Sequence, residues 1–376
     1  MSKISFLSGT IPPITGGEVY NYKLYSYLKD NNLNIEYINL HRIRLIFKLN
    51  TLPLVGDLLS NLLVFLLIFY RLGDVVIEDQ YFSPYLTLTN FYHKFFKKGK
   101  NVLIVHHFDK YDSQVYTRTD KLWWNYPLGV IREISAVFFA DRIVTNSQFN
   151  KQEILTIRSM EEDTIDVLPP GLDRSKLKNE DSGEIKDLLD GSKHIILCVG
   201  HCIPRKGIIY LVKAFSKVND PKYKLCIVGK IDKDISYYHK VKLSLEELKL
   251  LDKVVLLNRV DQKTLADLYS QADFFVLPSL KEGFGIVLLE AMYYGLPIIT
   301  TNVSAMPELV VNEENGLLVN AANVEDLTKA LLTLIENPDM RKKMSDSAYQ
   351  KINDSYYWEQ TQSQFLSLVE SLSTNY

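Results

Sequence analysis

The sequence predicts an α/β protein of two domains, each with helices packed against a parallel sheet. The chain has 376 residues, which is long for one hydrophobic core and suits two domains. Short apolar runs recur along it, and most are followed by a loop and then by apolar residues at helical spacing. Residues 167–173, VLPPGLD, interrupt this alternation and predict a hinge between the domains.

In the first half, residues 3–8 predict a first strand and residues 19–28 predict a helix. The loop between them, residues 9–17, contains two prolines and ends in Gly16 and Gly17. These glycines let the backbone approach a ligand closely, for instance a phosphate. Further strands are predicted at residues 74–77, 101–105 and 141–147.

In the second half, the alternation of strands and helices is more regular. Strands are predicted at residues 194–199, 223–229, 254–257, 274–278 and 298–300. Helices are predicted at residues 208–215, 265–272, 286–294, 324–336, 338–349 and 365–372. This order predicts a second parallel sheet with its own helices.

The most informative stretch is residues 279–297, SLKEGFGIVLLEAMYYGLP. Glu282 follows a predicted strand, at the edge where open α/β sheets bind ligands. Gly283 and Gly285 open a helix whose first amides favour anions, and we expect Glu290 about two turns into it. Two carboxylates that flank an amide-rich turn suit a ligand with a phosphate in the middle and hydroxyls at both ends. For either glutamate alone, an ordinary helix cap is the alternative.

The pattern S-x2-E-G-F-G-x4-E-A-M-x2-G-x-P resembles that of the family 4 retaining glycosyltransferases of the GT-B fold, or glycosyl transferases group 1. The resemblance implies two Rossmann-like domains with parallel sheets that face each other across a cleft. Residues 1–172 would form the acceptor-side domain and residues 173–354 the nucleotide-sugar domain. Residues 355–376 would form a helix that crosses back to the first domain.

The resemblance also implies roles for the motif. Glu282 would position the donor sugar, and Glu290 would bind the ribose of the nucleotide. The expected donor-binding set in this motif is Glu282, Gly283, Phe284, Gly285, Ile286 and Glu290.

The loop from Gly200 to Gly207 follows a predicted strand and carries two adjacent cations, Arg205 and Lys206. Such a loop before a helix can clamp a diphosphate, although a solvated surface loop is the alternative. Lys206 matches the lysine of the family motif. Position 201 is His201 where the family has an arginine, so we expect Arg205 to supply that charge.

The resemblance extends, more weakly, to the first domain. The loop with Gly16 and Gly17 matches one that lies under the donor diphosphate in the family. His106 follows the strand at residues 101–105 and matches a histidine placed against the donor sugar, although a structural histidine is the alternative. The expected catalytic residues are therefore His106, Glu282, Arg205 and Lys206.

Residues 52–70 are the most apolar stretch, but their uninterrupted part, residues 62–70, is too short to span a membrane, which needs about 20 residues. A buried helix is one interpretation, and an interfacial membrane helix is the other. A patch for anionic lipid headgroups is a further possibility. Its cations would be Arg42, Arg44, Lys48, Lys94, Lys97, Lys98 and Lys100.

Composition narrows the class of partner and the compartment. Charged residues make up 23% and the net charge is −2, so we expect no nucleic-acid partner. Cys198, Cys202 and Cys226 suggest neither a disulfide framework nor a zinc site, which favours the reducing cytoplasm. We expect no signal peptide, because residues 1–7 lead directly into a strand pattern. A cytoplasmic protein can also bind peripherally to the inner face of the plasma membrane, and this is a second expectation for its location.

Asp232 and Asp234 form a D-x-D spacing that binds metal-nucleotide in other glycosyltransferases, but their polar loop favours a chance match. We therefore expect no metal and no cofactor besides the donor. The expected reaction moves a sugar from a nucleoside-diphosphate sugar to a glycan or lipid-linked acceptor, in cell-surface polysaccharide or glycolipid synthesis. The alternatives are a nucleotide-sugar epimerase or hydrolase of the same fold, and a non-catalytic nucleotide-sugar binding protein.

Overall fold

The computed structural model describes residues 2–9, 11, 13, 16–42, 55–107, 135–173, 194–218 and 220–374. The chain divides into two compact units. Unit 1 comprises Met1–Pro170 and Trp358–Tyr376, and unit 2 comprises Gly171–Tyr357. Arg44 and Lys48, which the sequence analysis named, lie outside the described residues.

Unit 1 is built on a parallel sheet of six strands in the order β2-β1-β3-β4-β5-β6. The strands are β1 Ile4–Ser8, β2 Ile35–Asn39, β3 Val75–Asp79, β4 Lys100–Val105, β5 Arg142–Thr145 and β6 Ile165–Val167. The helices are α1 Gly16–Asp30, α2 Val55–Ile68, α3 Thr87–Phe95 and α4 Gln148–Ile157. Every residue of β1 and β3 is buried, as expected when helices cover both faces of a parallel sheet.

Helix α1 starts earlier than the sequence suggested. Gly16 and Gly17 form its first turn rather than the end of the preceding loop. Helix α4 begins directly after Ser147, whose side chain caps it by accepting a hydrogen bond from the backbone N of Asn150.

Unit 2 contains a second six-stranded parallel sheet, in the order β12-β11-β10-β7-β8-β9. Its strands are β7 His194–Val199, β8 Tyr223–Val228, β9 Val254–Leu257, β10 Phe274–Leu277, β11 Ile298–Thr301 and β12 Gly316–Val319. Its helices are α5 Ile208–Phe215, α6 Ile235–Glu247, α7 Gln262–Gln271, α8 Ile286–Tyr293, α9 Met306–Leu309, α10 Val324–Glu336 and α11 Pro338–Asp354. Of these elements the prediction missed strand β12 and helices α6 and α9.

The last helix, α12 Trp358–Ser373, belongs to unit 1 although it follows unit 2 in the chain. Trp358, Phe365 and Val369 are buried in the same core cluster as Phe6 and Tyr20. This helix therefore completes one apolar layer of the first sheet.

The order of strands places a switch point in each sheet. In unit 2 the chain runs from β7 outward through β8 and β9, then returns to add β10 on the other side of β7. In unit 1 the chain runs from β1 outward to β2, then returns to add β3 on the other side of β1. Loops after two such strands diverge and leave a crevice, which is the usual place for a ligand.

Helix α2 corrects the interpretation of residues 62–70 as a fully buried helix. Ser60, Val64 and Ile68 are buried, at the four-residue spacing of one helix face. The opposite face exposes Leu62 and Leu66. Among the described residues, no helix is both long enough and apolar enough to cross a membrane.

Candidate functional site

In unit 2, the loops that follow β7 and β10 are in direct backbone contact. The backbone N of Leu280 donates to the carbonyl of Arg205 at 2.8 Å. Gly207 has a φ of +65°, and a β-carbon there would lie 2.0 Å from the carbonyl oxygen of Pro278. Glycine is therefore required at this position, both for its backbone angle and for the close approach of the two loops.

Glu282 forms the centre of an ion cluster between these loops. Lys206 Nζ donates to its Oε1, and Arg205 NH1 lies 3.1 Å from its Oε2. The Ser279 hydroxyl also donates to Oε1, at 2.9 Å. The Glu282 residue is only 6% exposed, so these contacts replace the water that a buried carboxylate loses. Two cations against one carboxylate leave the cluster with a net positive charge.

Burial raises the pKa of Glu282, but Lys206 and Arg205 lower it more, and the result is a pKa of about 2. Glu282 is therefore ionised at neutral pH. Arg205 is further held because its NH1 donates to the carbonyl of Lys281 at 2.7 Å. Gly200 leaves room for the Lys206 side chain, because a β-carbon at position 200 would lie 3.3 Å from it.

His201, which stands where the family motif has an arginine, cannot replace that charge. Burial and the positive charges of Lys233 and Lys206 lower the pKa of His201 to about 4, so the ring is neutral at pH 7. Its Nδ1 atom is buried and makes no hydrogen bond among the described residues. The charge that His201 does not provide is therefore supplied by cations such as Arg205 and Lys206.

Glu290 lies on helix α8 and is held by a buried tyrosine. The Tyr269 hydroxyl donates to Glu290 Oε2 at 2.9 Å, and the Tyr269 ring stacks on Tyr294 with centroids 5.4 Å apart. Glu290 is the fifth residue of a helix that begins at Ile286. It therefore lies little more than one turn from the helix start, not the two turns expected from the sequence.

The residues between the two glutamates have different environments. Gly285 has a φ of +88° and directly precedes α8, so it turns the chain into the helix. Phe284 is buried, with its ring 5.9 Å from that of Tyr356, and it anchors the loop in the core. Gly283 and Ile286 are half-buried.

In unit 1, His106 follows β4 and lies beside the start of α1. A β-carbon at Gly17 would be 3.1 Å from Cδ2 of the His106 ring, so glycine at this position lets the ring approach the helix. At Gly16 a β-carbon would meet nothing within 4 Å. The main chain of His106 is fixed on both sides: its N donates to Gln80 Oε1 at 3.2 Å, and its carbonyl accepts from Asn150 at 2.7 Å.

A buried chain of hydrogen bonds connects His106 to a carboxylate. Asn21 Nδ2 donates to Ser8 Oγ at 3.2 Å, and Ser8 Oγ donates to Asp79 Oδ2 at 3.0 Å. The Asn21 oxygen is therefore the atom that faces His106 Nε2, at 3.1 Å. Because an amide oxygen can only accept, Nε2 carries the ring proton and Nδ1 is an acceptor.

Burial, with a smaller contribution from His107, lowers the pKa of His106 to about 3. The ring is therefore neutral at pH 7, in one tautomer. In this state His106 can accept a hydrogen bond from a hydroxyl through Nδ1, and it cannot act as a cation.

Asp234 of the D-x-D sequence has a structural role. Its carboxylate accepts from the backbone N of Tyr237 at 2.9 Å and caps helix α6. Asp232 is exposed in the preceding turn. No group of three or more His, Cys, Asp and Glu residues that could hold a metal ion occurs among the described residues.

Residues 182–351 match the family described as Glycosyl transferases group 1. An uncharacterized glycosyltransferase of Methanocaldococcus jannaschii is 29% identical over 60% of this chain and 59% of its own length. The chain thus spans about three fifths of the length of this curated relative. The sequence similarity covers all of the Glu282 and Glu290 site.

Two solved structures share the architecture over essentially the whole chain. Sucrose-phosphate synthase from Thermosynechococcus elongatus superposes with a TM-score of 0.78, at 19% identity and full coverage of both chains. The Anabaena protein HepE, in complex with UDP and glucose, gives a TM-score of 0.74 at 18% identity, covering 99% of this chain and 100% of its own. The predicted fold class is confirmed: the chain has the GT-B fold.

The structure adds residues that the sequence analysis did not name as site residues. Ser279 and Tyr269 contact the two glutamates directly, whereas Asn21, Ser8 and Asp79 act on His106 through the hydrogen-bond chain. Ser279 was visible in the S-x2-E motif. The other four lie far from their partners in the sequence, and no local pattern indicates them.

Proposed function

We propose that this protein is a glycosyltransferase that moves a sugar from a nucleoside-diphosphate sugar to an acceptor hydroxyl. The observation that carries the proposal is the ion cluster of Glu282, Lys206 and Arg205 at the switch point of the second sheet. Its net positive charge and the adjacent start of α8 favour a diphosphate. The similarity to Glycosyl transferases group 1 supports the same assignment.

The proposed chemistry needs a stabilised leaving group. The bond between the anomeric carbon and the diphosphate oxygen breaks, and its electron pair leaves with the nucleoside diphosphate. The acceptor oxygen forms the new bond to the anomeric carbon, and its proton passes to the departing diphosphate. Lys206 and Arg205 would neutralise the negative charge that develops on the diphosphate, a contribution that is largest in the transition state.

The two carboxylates would then have different tasks. Glu282 holds the two cations in place before the donor arrives, and it would also position the sugar. Glu290 would accept hydrogen bonds from the ribose hydroxyls, with Tyr269 fixing its orientation. His106 would accept a hydrogen bond from a sugar hydroxyl through Nδ1, because its neutral tautomer offers an acceptor there.

Two finer properties follow from the resemblance to the family 4 enzymes and are part of the proposal. We infer retention of the anomeric configuration, which NMR of the product would test. We infer metal-independent transfer, with Arg205 and Lys206 as the charges that act on the diphosphate. Activity in EDTA equal to that without it is the expected result, and loss restored by magnesium or manganese would contradict it.

We further propose that the acceptor is a glycan or lipid-linked intermediate of cell-surface polysaccharide or glycolipid synthesis. The enzyme would then work in the cytoplasm, at the inner face of the plasma membrane. The exposed leucines of α2 support this location, because an acceptor anchored in a membrane requires an enzyme that reaches its surface.

The decisive experiment has two stages. Thermal shift with a panel of nucleotide sugars, including UDP-glucose, should identify the donor, since a ligand at 100 times its Kd stabilises the folded state by about 2.7 kcal/mol. Release of nucleoside diphosphate is then measured with and without candidate acceptors. Release that depends on the acceptor supports a transferase. Release without acceptor indicates a hydrolase, and donor binding without turnover for any acceptor indicates a binding protein.

A further inference from the structure

Unit 1 exposes a cluster of large apolar side chains where α2 and α3 pack together. Its members are Leu62, Leu66, Tyr70, Phe91, Phe95 and Phe96, which we call the aromatic–leucine face. Tyr70 is 71% exposed, Phe96 70%, Phe95 58% and Leu66 54%. Single exposed apolar residues are ordinary on a protein surface, but a contiguous group of this kind usually marks an interaction site.

Ring contacts show that the aromatic part of the face is continuous across the two helices. Phe69 stands next to Tyr70, with ring centroids 6.0 Å apart, and 6.2 Å from the Tyr92 ring. Tyr92 stacks on Phe96 at 5.9 Å. Phe96 in turn lies 6.1 Å from Phe91. Aromatic side chains thus bridge from the end of α2 to the end of α3 without interruption.

The exposure follows from the sequence of α2, which from Leu62 to Ile68 is apolar on all sides. Leu62 and Leu66 are four residues apart and share one side of the helix. Val64 and Ile68 occupy the other side and are buried against Leu72 and Val76. Only one side of a helix can contact the sheet, so an all-apolar helix at the surface must present its other side outward.

The segment that contains α3 is positively charged, although one acidic group, Asp141, lies beside Lys94. Residues 80–107 contain four lysines and no aspartate or glutamate. Lys98 is exposed directly after the aromatic residues of α3, whereas Lys97 donates to the carbonyl of Gly73 at 2.8 Å. Lys94 is partly engaged, since its Nζ lies 3.7 Å from an oxygen of Asp141. A partner of opposite charge would therefore be negative.

We propose that the aromatic–leucine face docks on the surface of a lipid bilayer that carries anionic headgroups. Exposed leucine and phenylalanine can enter the boundary of the acyl chains, and tyrosine and lysine suit the headgroup level. Helix α2 has 14 residues, which fits a helix lying in the interface and not one that spans the bilayer. Among the described residues of unit 2 no phenylalanine is exposed, although single leucines such as Leu243 and Leu251 are.

This docking does not depend on the proposed transferase activity, and its test needs neither donor nor acceptor. The full chain is floated with vesicles of phosphatidylcholine alone and of phosphatidylcholine mixed with phosphatidylglycerol, at low and high salt. We expect binding to the anionic vesicles at low salt and weaker binding at high salt, because screening weakens the lysine contribution.

Matched variants distinguish binding through the aromatic–leucine face from nonspecific hydrophobic adsorption of the protein to vesicles. Phe95→Ser and Phe96→Ser should each lower the partition coefficient by about tenfold, since each removes a largely exposed ring that would become buried in lipid. Leu243→Ser and Leu251→Ser are the controls, because both leucines are similarly exposed but belong to unit 2. Lys98→Gln should weaken binding to anionic vesicles about fivefold, whereas Lys242→Gln on α6 should leave it unchanged.

Three outcomes would overturn the proposal. The first is failure to bind anionic vesicles at low salt. The second is binding that the unit 2 variants reduce as much as the Phe95 variant does. The third is a dimer, seen by analytical ultracentrifugation, that Phe95→Ser dissociates, because the face would then be an interface between two copies of the chain. Circular dichroism of each variant shows whether a loss of binding reflects unfolding.

Discussion

Replacing Glu282 by glutamine removes one negative charge from the ion cluster of unit 2 and nearly conserves the size of the side chain. Lys206 and Arg205 would then lie beside a neutral amide. The Lys206 side chain is 11% exposed, so little water is available to replace the lost carboxylate. We expect the variant to be less stable than the wild type, and we expect the difference to depend on pH.

The size of the effect follows from linkage. The pKa of Glu282 falls from an ordinary 4.5 to about 2 in the folded state, which corresponds to about 3 kcal/mol of stability at neutral pH. Since the folded pKa is the lower one, this contribution is complete above pH 4.5 and is lost as the pH falls toward 2. At pH 3.5 about 1 kcal/mol of it has been lost. Breaking a buried ion pair typically costs about 3–5 kcal/mol, which is similar to the stability that the shifted pKa of Glu282 implies at neutral pH.

Hydrogen exchange of peptides that cover β10 and α8 measures the effect where it arises. Glu282→Gln should lower the opening free energy of these peptides by about 3 kcal/mol at pH 7 and by about 2 kcal/mol at pH 3.5. The control is Glu246→Gln, an exposed position on α6, which should change it by less than about 0.5 kcal/mol at either pH.

A loss that is equal at the two pH values would refute the reasoning. It would mean that glutamine disturbs the packing of the loop and that the charge of Glu282 contributes nothing. An unchanged stability at pH 7 would refute the cluster itself, because a buried carboxylate cannot be neutralised without effect if two cations depend on it.

Three further predictions concern the remaining site residues. Lys206→Ala should lower turnover far more than donor affinity, because a leaving-group cation acts mainly in the transition state. Activity within twofold of that of the Lys213→Ala control would contradict it. Glu290→Ala should weaken donor binding by about 1.5–3 kcal/mol, and Tyr269→Phe should weaken it by less. Calorimetry measures both affinities. If both variants bind the donor as tightly as the wild type, neither residue belongs to the donor site. Asn21→Ala should abolish the single tautomer of His106, seen as averaged ¹⁵N shifts of the ring, whereas unchanged shifts would mean that Asn21 does not select it.

Much of unit 2 could be predicted from its sequence because its signals are local. Buried parallel strands are continuous apolar runs, and Gly207 and Gly285 mark the points where loops turn into helices. The first predicted strand and helix of unit 2, residues 194–199 and 208–215, coincide with β7 and α5. Strand β12 was missed because its four residues, GLLV, follow a polar turn and give little periodicity.

The contacts of the site could not be predicted, because they depend on which strands become neighbours. Lys206 and Glu282 are 76 residues apart and meet only because β10 pairs with β7. Sequence spacing places each at the end of a strand but does not reveal the pairing order. The same limit applies to Asn21 and His106, which are 85 residues apart.

The prediction for α2 was incomplete for a different reason. An apolar sequence shows that a helix avoids water on at least one side, but it does not show whether enough protein surrounds the helix to cover the rest. Leu62 and Leu66 are as apolar as Val64 and Ile68, yet only Val64 and Ile68 are buried.

The return of α12 to unit 1 has a consequence for biosynthesis. The core around Phe6 and Tyr20 includes Phe365 and Val369, so the ribosome must complete unit 2 before this core can close. Until then the nascent first unit exposes an apolar strip that other chains or chaperones can bind. Unit 2, whose residues are contiguous, can fold as soon as it emerges. We therefore expect the second unit to mature before the first, against the direction of synthesis.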